Sequence, residues 1–279
     1  MERVLIGIDN EAPSQVAVDW VIRRSRSVDV RVRLVTAFDM LLDDAAKDQA
    51  RLDETRRRIS EAAPEVVIET ELVDHSIWSA LVEASRDADL LVIGFHRGRP
   101  IRSALSGDLP GRLAALSKCP IVIVPDDWCA RDGEIVVGIA DDPFESDSAL
   151  VFAAREADAC GRRLNLVHAW QHPTSPVRGI APISVLPLAA AQILHRRVLS
   201  TAGDLVHRVA PSLVPHESLV ERPAGESLLD HLGDAELVVV GAHPPQLSDL
   251  LLGTVVKQLM THSATPVCIV PRVPVEVPA

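Results

Sequence analysis

The chain has 279 residues, is 47% apolar, and carries a formal net charge of −11 with an isoelectric point near 5.3. That acidity excludes nucleic acid and anionic membrane as the main partners, because both reward clustered Lys and Arg. Four scattered cysteines with no CxxC pair exclude a disulfide framework and a structural zinc site of the usual spacing.

Taken in chain order, short runs rich in Val, Ile and Leu place strands at 3–8, 30–37, 66–73, 89–94 and 120–124, and again at 134–139, 163–169, 216–221, 236–241 and 266–270. Longer segments of helical spacing separate them. Ser14 before Ala17, Trp20 and Val21, and Ser146 before Ala149, Phe152 and Ala153, each read as a capping side chain ahead of an apolar helix face. Residues 43–58 mix both charges at helical spacing and read as a solvated helix. Strand runs that are apolar throughout, alternating with helices, describe β-α-β units around parallel sheets covered on both faces. The opening "MERVLIGIDN" lacks the pattern of a signal peptide, and no apolar run reaches the roughly 18 residues of a membrane span, so a cytoplasmic protein is expected.

The chain is written twice. "VLIGID" (4–9) returns as "IVVGIA" (135–140), "LVTAF" (34–38) as "LVHAW" (166–170), "DADLLVIGFH" (87–96) as "DAELVVVGAH" (234–243), and "CPIVIVP" (119–125) as "TPVCIVP" (265–271). The order is kept while the offset grows, the extra length falling mainly in the Pro-rich stretch after Trp170, where a longer connection disturbs no strand. The domains expected are 1–125 and 134–273, with "DDWCARDG" (126–133) as the linker and 274–279 as a tail.

Each copy resembles a universal stress protein domain, and the pair is similar to the tandem members of that family. The resemblance rests on an aspartate after the first strand and on a Gly-x-x-Gly after the fourth, followed by nine residues and a Gly with Ser or Thr. It implies an adenine nucleotide alpha hydrolase-like α/β fold: two open five-stranded parallel sheets of order 3-2-1-4-5, with helices on both faces. It also implies pairing of the two domains through their fifth strands. In ATP-binding members the aspartate contacts the adenosine end, and the glycines and hydroxyl wrap ribose and phosphates. The strand order reverses between the first and fourth strands, where ligands of open parallel sheets bind.

On that pattern the first copy offers Asp9, Ala37, Gly94, Arg97, Gly107 and Asp108 as its nucleotide-binding residues, and the second offers Gly241, Gly253 and Thr254. Both copies depart from it. Arg97 replaces the second glycine and, if the backbone there is left-handed, costs roughly 1 to 2 kcal/mol. Asp108 replaces the hydroxyl, and a carboxylate about 4 Å from a phosphate charge is repelled by roughly 4 kcal/mol at an effective dielectric near 20. Arg97, Arg99 and Arg102 could offset that charge, or Asp108 could hold magnesium against the phosphate. In the second copy Ala140 stands where Asp9 does, followed by Asp141 and Asp142. Pro244, which has no N–H, takes the second glycine position, leaving eight residues before Gly253. Thr254 there reads as an ordinary hydroxyl-capped helix start.

His96 and His243 read as pocket-rim histidines, and Cys119 and Cys268, in or beside the fifth strands, as inert buried thiols. No HExxH, GxSxG or GxxxxGK[ST] pattern occurs, so no catalytic residue is assigned. The expected function is a stress-response binding and regulatory module, not an enzyme. ATP binding is expected to be weak or lost, better in the first copy, with magnesium only alongside ATP and no other metal. Its partners would be other proteins, with a homodimer left open. The alternatives are a functional ATP-binding stress protein, an ATP-hydrolysing or nucleotidyl-transferring enzyme of the same layout, and a module for a different anion. "IDNEAPS" after the first strand is neither the "SGGxDS"-like nor the "HxGH" loop of that enzyme class.

Overall fold

The computed structural model describes residues 1–9, 11–38, 45–74, 76–97, 113, 116–141, 148–171, 174–175, 183–184, 187–242 and 253–271. It has two compact units, one from Met1–Arg131 with Gly241–Arg272, the other built on Asp132–Val240.

The first unit starts with β1 (Glu2–Gly7), α1 (Ala12–Arg24), β2 (Val30–Ala37), α2 (Ala45–Ala62), β3 (Val67–Val73), α3 (Ile77–Ala84), β4 (Leu90–Phe95) and β5 (Ile121–Pro125). The second unit holds β6 (Ile135–Ile139), α4 (Ser148–Cys160), β7 (Leu164–Trp170), β8 (Thr174–Ser175), β9 (Ile183–Ser184), α5 (Leu188–Val209), β10 (His216–Glu221), α6 (Ala224–Asp230) and β11 (Leu237–Gly241). The chain then returns to the first unit with α7 (Thr254–His262) and β12 (Val267–Val270).

The strands fall within a residue of the ranges expected from sequence because their signal is simple burial. Leu90, Leu91, Val92, Ile121, Val122 and Val124 are fully buried, so both faces of β4 and β5 must be apolar. Adjacent strand residues point to opposite faces. A side chain on Gly7 would meet Leu81 of α3 and Ile93, and one on Gly94, the next residue after Ile93, would meet Pro13 of α1. Helices therefore cover the two faces.

In the first unit the first repeat has the order β3-β2-β1-β4-β5, all parallel, as expected. Beyond these five parallel strands, β12, the fifth strand of the second repeat, adds antiparallel to the outer edge of β5, with Val267 opposite Ile123 and Ile269 opposite Ile121. The edge of β5 carries a row of unsatisfied N–H and C=O groups flanked by buried Ile and Val, and an apolar strand satisfies both. In the second unit the parallel strands run β10-β7-β6-β11. The Pro-rich insertion there contains a short antiparallel pair, β8 with β9, which no residue pattern in that stretch marks as strands.

The expected cap at Ser14 is corrected. The helix begins at Ala12 with Glu11 as its N-cap, and Pro13 lies in the first turn, where its fixed φ fits and its missing N–H costs nothing. Ser14 lies inside that turn and donates its hydroxyl hydrogen toward the carbonyls of Asp9 and Glu11. Ser146 lies outside the described residues. Among the described residues no helix is long and apolar enough to cross a membrane.

Candidate functional site

In the first unit the strand order reverses between β1 and β4, so the carboxyl ends of these strands open the crevice where a ligand of this fold would sit. Asp9 lies just past β1, exposed, and its Oδ1 accepts the backbone N–H of Glu11 at 2.9 Å. That bond closes a tight turn into α1, a structural task for the carboxylate. Ala37 is the last residue of β2, half-buried. Beside it Thr36 is buried and donates to the carbonyl of Ile8 at 2.6 Å, tying the end of β1 to β2.

Gly94 has a packing reason to be glycine. A Cβ there would lie 2.0 Å from the carbonyl oxygen of Pro13 and 2.1 Å from its carbonyl carbon, so the start of α1 occupies the space a side chain would need. Arg97 is not left-handed, since no non-glycine residue among those described has positive φ, and the strain anticipated for it does not arise. Its backbone N–H is accepted by Asp126 Oδ1 at 3.2 Å, and its guanidinium pairs with Asp127. Gly107 and Asp108, with Arg99 and Arg102, lie outside the described residues.

His96 is the residue whose surroundings sequence spacing could not reveal. Its Nδ1 lies 2.9 Å from Asp126 Oδ2 and its Nε2 3.0 Å from Glu11 Oε2. Carboxylates only accept, so both contacts are satisfied together by the doubly protonated ring. The partners come from the turns after β1 and β5, 85 and 30 residues away, which no local motif links. Burial, the largest influence on the Asp126 carboxyl, pushes its pKa up, but the hydrogen bonds from His96 and from the Arg97 N–H outweigh it and leave the group below its ordinary value. The mouth of the crevice thus combines Glu11, Asp126 and Asp127 with one imidazole and one guanidinium, all already engaged with each other.

The residues assigned from the second repeat are dispersed in their roles. Gly241 ends β11, exposed; Gly253 is the N-cap of α7, with open space around the position a Cβ would take; Thr254 is the first helical residue. No side-chain hydrogen bond caps that helix, so the hydroxyl cap expected of Thr254 is absent. Gly253 serves without one because glycine itself suits an N-cap. Asp142, His243 and Pro244 lie outside the described residues. In the second unit Ala140 follows β6, and the Thr36 position is taken by His168, which is fully buried and bonds through Nδ1 to the carbonyl of Ile139 at 3.0 Å.

The model of the universal stress protein family matches residues 1–125 and again 133–271. The chain belongs to the universal stress protein family. A universal stress protein of Mycolicibacterium smegmatis is 28% identical over 96% of this chain and 96% of its own length. The crystal structure of a universal stress protein from Archaeoglobus fulgidus superposes with a TM-score of 0.65 at 15% identity, covering 97% of this chain and 98% of that one, which shows the shared fold. A universal stress protein solved in complex with cAMP is 28% identical over 45% of this chain and 97% of its own, with a TM-score of 0.38.

Proposed function

We propose that this universal stress protein acts as a non-catalytic binding and regulatory module of the stress response, and that its first repeat holds ATP weakly or not at all. The observation that carries the reading is that, among the described residues of the crevice, the donors are already engaged: the Arg97 N–H and guanidinium are committed to Asp126 and Asp127. A phosphate arriving there displaces a carboxylate that is already bonded and then faces it. At about 4 Å and an effective dielectric near 20, one such pair of charges repels by about 4 kcal/mol, a thousandfold in affinity. The second repeat, with Ala140 in place of Asp9, has less to offer adenosine. The acidic balance of −11 suits a cytoplasmic protein whose partners are other proteins, and association of two chains belongs to the same reading.

Calorimetric titration with ATP and Mg²⁺ tests it. Wild type should give no stoichiometric micromolar binding, and the double variant Asp126→Asn, Asp127→Asn should bind ATP more tightly than wild type. Stoichiometric micromolar binding by wild type refutes weak or absent ATP binding. Measurable ATP turnover that disappears in Asp9→Asn would favour an enzyme.

A further inference from the structure

The second unit carries a cluster that the nucleotide reading leaves unused. His168 on β7, His195 on α5 and Asp141 in the turn after β6 bring three ligand atoms to one point. His168 Nε2 lies 2.8 Å from His195 Nδ1, and each of these nitrogens is 3.8 Å from Asp141 Oδ1. We propose that Asp141, His168 and His195 form a binding site for a divalent first-row transition metal of the zinc type.

The dimensions fit such an ion. A triangle with sides of 2.8, 3.8 and 3.8 Å has a centre about 2.0 Å from each corner, and zinc binds imidazole nitrogen and carboxylate oxygen at about 2.0 to 2.2 Å. A tetrahedral ion rises out of that plane and needs ligands about 3.3 Å apart. The two imidazole nitrogens then separate by about half an ångström, and the carboxylate draws in by a similar amount.

The histidines are held as ligands are held. The carbonyl of Ile139 can only accept, so the proton of His168 sits on Nδ1 and the lone pair on Nε2 faces the cluster. A ligating imidazole that donates its other N–H to a backbone carbonyl is the usual outer support of a metal site. His195 is stacked on the buried Trp170, ring centroids 4.7 Å apart and planes 25° apart. Without a metal, His195 Nδ1 donates to His168 Nε2; with one, His195 binds through Nδ1 as the tautomer that carries its proton on Nε2.

The donor set selects the ion. Two imidazoles and one carboxylate disfavour magnesium and calcium, which demand oxygen, and favour zinc, cobalt, nickel or copper. Three protein ligands leave a fourth position for water or for a donor atom of another molecule. The site also has a place in the duplication. In the first repeat the matching residue of β2, Thr36, ties down the carbonyl of Ile8 and ends there. In the second repeat an imidazole makes the same bond and presents a further nitrogen beyond it.

The test uses the full chain, stripped with chelator and titrated with Zn²⁺ by calorimetry at pH 7, with Co²⁺ absorption as a second readout. The expected result is one site per chain with micromolar or tighter affinity, the visible bands of tetrahedral Co²⁺, and no displacement by millimolar Mg²⁺. His195→Ala should weaken binding by about 100-fold or more, since even loss of an outer-shell partner costs 10- to 100-fold. Asp141→Asn, at an exposed position that folding does not need, should weaken it by about tenfold or more. His207→Ala, on the exposed side of the same helix, should leave it unchanged. Absence of Zn²⁺ and Co²⁺ binding in wild type overturns the proposal, and so does binding that survives Asp141→Asn and folded His195→Ala at full strength; either result would make the pair a plain histidine–histidine hydrogen bond.

Discussion

Gly94→Ala separates a glycine kept for packing from one kept for phosphate. The added methyl would lie 2.0 Å from the Pro13 carbonyl oxygen, 2.1 Å from its carbonyl carbon and 2.7 Å from its Cβ. Two of these atoms are backbone in the first turn of a helix packed on β4 and β5, so no side-chain rotation relieves the clash. Relief requires α1 or β4 to move by about an ångström, and overpacking of that kind costs about 3 kcal/mol. With a urea m-value of about 1 to 3 kcal/mol per molar, the midpoint should fall by about 1 M or more. Tryptophan fluorescence is the suitable probe, because Trp20, Trp78 and Trp128 lie in the first unit and Trp170 in the second. Gly253→Ala is the control in the same unit. Nothing lies within 4 Å of its added methyl, and only an N-cap preference worth about 1 kcal/mol at most is lost. A wild-type midpoint for Gly94→Ala would refute the packing argument and return the glycine to a ligand-binding role.

Three further outcomes are expected. Gly161, just past α4, has φ of 62°, so Gly161→Ala should cost about 1 kcal/mol in chemical denaturation. Asp126 is held below its ordinary pKa, so the stability it contributes is present above the usual carboxylate value and is lost as pH falls through its folded value. The thermal deficit of Asp126→Asn should therefore be full at pH 7, begin to shrink only near the ordinary carboxylate value of about 3.9 and disappear below it, at the lower folded value; a deficit that grows on acidification contradicts that sign. Burial raises the Cys119 thiol to about 11, whereas Cys129 is exposed. A thiol reagent at pH 8 should label Cys129 at once and Cys119 only after unfolding, as mass mapping of the labelled peptides would report.

The strands were legible because a strand buried on both faces needs little more than consecutive Val, Ile and Leu, and the order followed from a resemblance in which those strands are the anchor. Local polar chemistry was harder to read. Ser14 has the composition of a cap, but Pro13 one residue earlier fixes the start of the helix. The surroundings of His96 come from two other turns, and the cluster at His168 joins residues 27 apart, a separation no short metal motif covers. A signal was present in the repeat itself: where "LVTAF" carries a threonine, "LVHAW" carries a histidine between Val167 and Ala169. From the sequence no metal is expected without ATP, and the fold brings together donors that the chain keeps apart.

The antiparallel seat of β12 on β5 also bears on synthesis. A ribosome that has released residues 1–131 has released the first repeat with the outer rim of Ile121, Ile123 and their neighbours bare, and more than a hundred residues must follow before Val267–Val270 emerge. During that interval the nascent chain presents a sticky border to any other growing polypeptide, which makes translation speed and chaperone supply part of how this protein reaches its native form.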